Sequence, residues 1–81
     1  MKIFYHQKFI ENIQDLPNSL IKKLKKQIEY LSIDIRHPSL HAKKYNESLD
    51  IWQARVDKSY RFYFSIEGEF YTLLSFKNHP N

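Results

Sequence analysis

A chain of 81 residues carrying thirteen Lys and Arg against nine Asp and Glu, net charge +4, holds one domain (1–81) with one modest core and favours anionic partners such as nucleic acid or an acidic protein segment. It has no cysteine but six Phe, six Tyr and one Trp, so stability must come from aromatic packing and not from disulfides. No apolar run approaches a membrane span, and the start MKIFYHQKFIENI is interrupted by His6, Gln7 and Lys8, which excludes a signal peptide and makes a soluble cytoplasmic protein the expectation.

Residues 2–6 read as a short strand and 7–14 as a short helix with Phe9, Ile10 and Ile13 on one side. Pro17 breaks the pattern, and Asn18 or Ser19 can cap a second helix. From Ser19 to about Ser32, Leu20, Leu24, Ile28 and Leu31 recur at helical spacing, widened by Ile21. Gln27 and the lysines at 22, 23, 25 and 26 fall on the other face, where solvation alone can explain them. Residues 33–49 read as a long connector. Pro38 holds His37 out of helix, and Asn46, Glu47, Ser48 and Asp50 are turn material.

Three strands come next, over about 51–57, 59–66 and 69–77. Their apolar and polar side chains alternate with a period of two, as in strands buried on one face. Trp52, Ala54 and Val56, then Tyr60, Phe62, Phe64 and Ile66, face the core; Arg55, Arg61 and Tyr63 face the other way. Two arginines on a rigid sheet suit phosphate or carboxylate recognition. The turn at the lone glycine, Gly68, sets the last strand. An odd loop (67–69) places Phe70, Thr72, Leu74 and Phe76 in the core and Tyr71, Leu73, Ser75 and Lys77 beside Arg61; an even loop reverses this. The odd register gives the cleaner apolar face and is the expectation. The order strand, two helices, antiparallel three-stranded meander is an α+β, two-layer domain.

The runs HPSLHAKK (37–44), DIWQARVDKSYRFYF (50–64) and LLSFKNH (73–79) resemble the RelE/ParE superfamily of bacterial toxins from type II toxin–antitoxin pairs. The shared elements are a His-Pro-x-Leu connector ending in lysines, a Trp-x-x-Arg-Val strand, a Tyr-Arg-Phe-x-Phe strand and a late His, in that order and over essentially the whole chain. The resemblance implies a RelE-like fold with one curved sheet. It also implies a cognate antitoxin that wraps over the toxin, and one of two activities. RelE-like members are endoribonucleases, many cutting mRNA on the ribosome; ParE-like members poison DNA gyrase. A relative of the same fold that binds RNA or antitoxin without cleaving is a third reading.

Carried onto this sequence, the resemblance assigns Arg55 and Arg61 to the scissile phosphate and His79 to proton transfer. Lys43, Lys44 and Lys77 would hold flanking phosphates, and Tyr63 or Tyr71 would stack on a base. The alternatives are surface arginines bridging to Asp57 or Glu69, a solvated lysine loop, a mobile terminal histidine and tyrosines that only pack. Gln53 and Ala54 are neutral where RelE-like nucleases commonly carry basic residues. Pro80–Asn81 stands where many relatives continue with an Arg and a Tyr, so an acid–base pair is not evident. His37 and His41 are four apart, but Pro38 lies between them and no Cys accompanies them. No metal or other cofactor is expected.

Overall fold

The computed structural model describes residues 2–79. The element order is β1 (Lys2–Tyr5), α1 (Gln7–Ile13), α2 (Asn18–Ile33), a 3₁₀ turn (Pro38–Leu40), β2 (Lys43–Asn46), β3 (Ile51–Arg55), β4 (Tyr60–Glu67) and β5 (Phe70–Asn78). The strands form one mixed sheet in the order β1-β5-β4-β3-β2, with β1 parallel to β5 and every other pair antiparallel. The α+β two-layer architecture is the expected one. The sheet, however, has five strands: residues 43–46, read as connector, form the edge strand β2.

Helices cover one face of the sheet. Phe9 of α1 and Leu24 and Leu31 of α2 are buried with Leu40, Phe62, Phe64 and Leu73 as the largest enclosed side chains. The α2 stripe follows from the 3.6-residue period. The helix starts directly after Pro17, whose carbonyl accepts from the amides of Leu20 and Ile21, and no side chain caps it. Asn18 therefore falls inside the helix, because Pro17 already fixes the extended entry. At the far side of the sheet β1 ends at Tyr5, and the Asn12 side-chain oxygen of α1 accepts from the Phe76 amide at 3.1 Å. That bond serves a β5 donor which no strand reaches.

Expected on the outer face, Gln27 stands three residues after Leu24 and four before Leu31, so the helical period places it on the buried stripe. It is buried, and its amide joins three elements. Nε2 donates to the carbonyls of Ser39 (3.1 Å) and Arg55 (2.9 Å), and Oε1 accepts from the Ser39 hydroxyl (3.2 Å).

The β4–β5 hairpin corrects the expected register. Glu67 pairs with Phe70 across a two-residue turn, with Gly68 at φ +60 and no positive φ at Glu69, a type II′ geometry that suits the sheet's twist. This even loop sends Tyr71 and Leu73 into the core. A bulge between Tyr63 and Phe64 on the β4 side leaves Leu74 without a partner, and pairing resumes as Tyr63–Ser75, Phe62–Phe76 and Arg61–Lys77. Beyond the bulge the faces are those of the odd register. One inserted residue reverses the alternation midway along the strand.

Among the described residues no helix is long and apolar enough to cross a membrane. Replacing Gln27 with Leu strands the carbonyls of Ser39 and Arg55 without a donor, and should lower the urea-unfolding free energy by about 1–3 kcal/mol. A neutral or stabilising Gln27→Leu would show that the amide is dispensable.

Candidate phosphate-binding cleft

The connector builds one wall of a cleft. His37 is extended and caps the 3₁₀ turn, its Nδ1 accepting from the Ser39 amide at 3.2 Å, while its ring stacks on Tyr30 with centroids 3.7 Å apart. Leu40 is fully buried, and His41 takes a left-handed conformation (φ 45) that turns the chain into β2. At the other end of β2, the Asn46 side chain accepts from the Leu49 amide and Asp50 is again left-handed (φ 55). This is the local side-chain-to-backbone chemistry expected of turn residues.

On the face away from the helices, an open cleft of about 350 Å³ is lined by His41, Ala42, Lys43, Gln53, Arg55, Arg61 and His79. Four of the expected site residues, Lys43, Arg55, Arg61 and His79, meet here from four parts of the chain. His79 is tied down by its amide, which donates to the Ser59 carbonyl. Arg55 is exposed at the end of β3. Arg61 is only 6% exposed, and its Nη1 donates to the carbonyls of Asp57 (2.6 Å), Lys58 (3.3 Å) and Tyr60 (2.9 Å). The Asp57 carboxylate is occupied with the Ser59 and Tyr60 amides and with Lys23. The guanidinium thus closes the β3–β4 turn through one nitrogen. Among the described residues nothing bonds its Nε or Nη2.

Register aligns the charges. Arg55 pairs with Arg61 and Arg61 with Lys77, so three cations stand in one row across β3, β4 and β5. Like charges placed opposite one another destabilise a sheet. The ion pairs found among the described residues are Lys23–Asp57 and Lys44–Asp50, and neither neutralises this row. Such a row is suited to an anion with several oxygens, which can accept from more than one of them.

Lys44 does not join it. One residue along the edge strand from Lys43, it hydrogen-bonds Asp50, which holds its ammonium above the ordinary lysine range, and it lies over the Trp52 ring at 5.1 Å. Tyr71 is also displaced from its expected place. It sits in the core, edge-on to Phe64, and burial raises its phenol, with Asp34 adding to the effect. Tyr63 does lie on the open face but is largely covered, by Tyr45 edge-on at 4.7 Å and by Lys77 at 5.8 Å from its centroid. Its burial, reinforced by Tyr45 and opposed by Arg61, raises its phenol.

Tyr45, which meets Tyr63 edge-on, is the exposed ring of that pair, at 59%. With Ile51, Tyr63, Leu74, Ser75 and Lys77 it lines a second depression of about 110 Å³ on the same face. Tyr45 and His41 are the site residues that sequence reasoning missed. Tyr45 lies two residues from Lys43 on β2, a signal that exists only once that segment is recognised as a strand, whereas His41 precedes the strand at a left-handed position that no periodicity reveals. The lysines at 22, 23, 25 and 26 lie on α2, in the layer behind the sheet. Among the described residues no group of three or more His, Cys, Asp and Glu side chains could hold a metal.

No family model and no curated protein matches the sequence. Solved structures do match in shape. An archaeal RelE, solved in complex with RelB from Pyrococcus horikoshii OT3, superposes with TM-score 0.82 at 16% identity over 99% of this chain and 96% of that one. YoeB from Staphylococcus aureus gives 0.80 at 14% identity, over 99% and 98%. YafQ from E. coli strain BL21(DE3) gives 0.78 at 12%, over 95% and 91%. The chain has the fold of RelE/ParE-superfamily toxins.

The two arginines should separate in stability. Arg61→Ala removes a charged donor from three turn carbonyls and should cost about 1.5–3 kcal/mol. Arg55→Ala, exposed and opposite a like charge, should change stability by no more than about 0.5 kcal/mol. Urea denaturation of both variants checks this, and equal losses would contradict the assigned roles.

Proposed function

We propose that the protein is the toxin of a type II toxin–antitoxin pair and an mRNA endoribonuclease that acts on ribosome-bound message in the cytoplasm. The observation that carries this reading is the uncompensated row of Arg55, Arg61 and Lys77, continued by Lys43 at the cleft wall. A phosphate seated there meets several donors fixed by strand pairing, and the same donors oppose the extra negative charge that develops as the phosphorus is attacked. Tyr45 supplies an exposed ring for a neighbouring base, beside Lys77, as single-stranded RNA recognition requires.

A cognate antitoxin is the partner that would silence the site. The RelE and YoeB structures include complexes with RelB and YefM. The open face here also offers such a partner apolar ground, with Phe4 and Phe70 exposed and their rings 4.9 Å apart. Any segment lying across that face and onto the cleft wall would exclude RNA by occupying the cations.

Induced without an antitoxin, the protein should arrest growth and fragment mRNA. Arg55→Ala should relieve both and reduce the salt slope of RNA binding by about 0.7 for one lost phosphate contact. Lys44→Ala, on the far side of the edge strand, should change neither. A folded protein that leaves growth and mRNA intact would sink the nuclease reading. Toxicity that survives combined replacement of Arg55, Arg61 and His79 by Ala, with DNA-damage signalling, would point instead to gyrase.

A further inference from the structure

RNA cleavage by its own 2′-hydroxyl requires two proton transfers. One group takes the proton as the 2′-oxygen bonds to phosphorus, and another gives a proton to the 5′-oxygen as the P–O5′ bond breaks. A 2′,3′-cyclic phosphate and a 5′-hydroxyl are left, and the protons balance. Arginine and lysine supply charge for this reaction but hold their protons near neutral pH, whereas imidazole can act on either side.

The protein has four histidines, and the structure divides them by use. His6 caps α1 by accepting from the Lys8 amide, and His37 caps the 3₁₀ turn by accepting from Ser39. The imidazoles of His41 and His79 bond no other group among the described residues, and these two line the same cleft. His41 also occupies a left-handed backbone position (φ 45) between buried Leu40 and the Lys43–Gln53 pair of the sheet. Non-glycine residues rarely sit there, and such positions gather at functional sites. The groups that share the cleft with it are Lys43 from β2, Gln53 and Arg55 from β3, Arg61 from β4 and His79; among the described residues no carboxylate lines it.

We propose that His41 is a catalytic residue, forming with His79 the acid–base pair that flanks the scissile phosphate. The inference rests on the nuclease reading above and adds the proton-transfer partner that the sequence left without a candidate. Neutral Gln53 on the cleft floor is consistent with it, since the protons then come from the two walls and not from β3.

His41→Asn is the informative variant, because asparagine tolerates the left-handed backbone but cannot exchange a proton. In single-turnover cleavage of a defined mRNA on programmed ribosomes, it should lose about 10²-fold or more in rate. Affinity for the same mRNA with a 2′-deoxyribose at the scissile position should hold, and one limb of the pH–rate profile should disappear. A substrate with sulfur replacing the bridging 5′-oxygen needs no acid, so it should rescue either His41→Asn or His79→Asn, and not both. His41→Asn within about twofold of wild type, or a loss of rate with an unchanged pH profile, overturns the pair while the nuclease reading stands. A wild-type protein that cleaves no RNA overturns both.

Discussion

The side chain of Gln27 fixes the relation between the two layers of this domain. A helix packed on a sheet through apolar contacts alone can slide, because such contacts are not directional. One amide removes that freedom by bonding the 3₁₀ turn at Ser39 and the end of β3 at Arg55 together. Both carbonyls lie where chain segments leave regular pairing, so they would otherwise be hard to satisfy. The two segments held in this way carry His41, two residues after Ser39, and the side chain of Arg55 itself. A buried hydrogen bond in the core layer therefore sets the spacing of cleft walls on the opposite face.

The cleft is built against local stability. Three cations share one row of the sheet, and the acidic residues nearby are used elsewhere: Asp57 orders its own turn and Asp50 holds Lys44. Arg61 eases part of the cost by splitting its guanidinium between structure and solvent, with one nitrogen closing the turn and the rest uncommitted. That division places its charge rigidly, which is what preorganised electrostatics needs, at the expense of repulsion that ligand or partner can relieve.

Most of the scaffold was legible in the sequence because it rests on periodicity. The alternation in 52–66 placed Arg55, Arg61 and Tyr63 on one face, and the α2 stripe identified the layer that covers the other. The failures have physical reasons. β2 reads KKYN, with no apolar alternation, and exists as a strand because β3 offers it a partner; without it, Lys43 and Lys44 could not be told apart. Gln27 lies at helical spacing between Leu24 and Leu31, so its position points to the core; its polar type points to solvent, and the tertiary hydrogen bonds are what let an amide occupy that stripe. Tyr71 went astray through the hairpin register, yet a trace was present: apolar residues at 71, 73 and 76 are spaced by two and then three, the interval a bulge leaves.

That bulge also defines which length changes the fold can absorb. Leu74 faces no partner on β4, so a chain lacking it would pair continuously, with Leu73, Ser75, Phe76 and Lys77 each keeping their present face. Loss of its neighbour Ser75 has the same result for register, since Leu74 can then stand opposite Tyr63 while Phe76 and Lys77 keep their partners. The strand thus carries one residue more than its pairing with β4 needs. What removal of that residue would change is shape: the extra residue bends and twists β5, and the straightened strand would deliver His79 to a different point along the cleft wall.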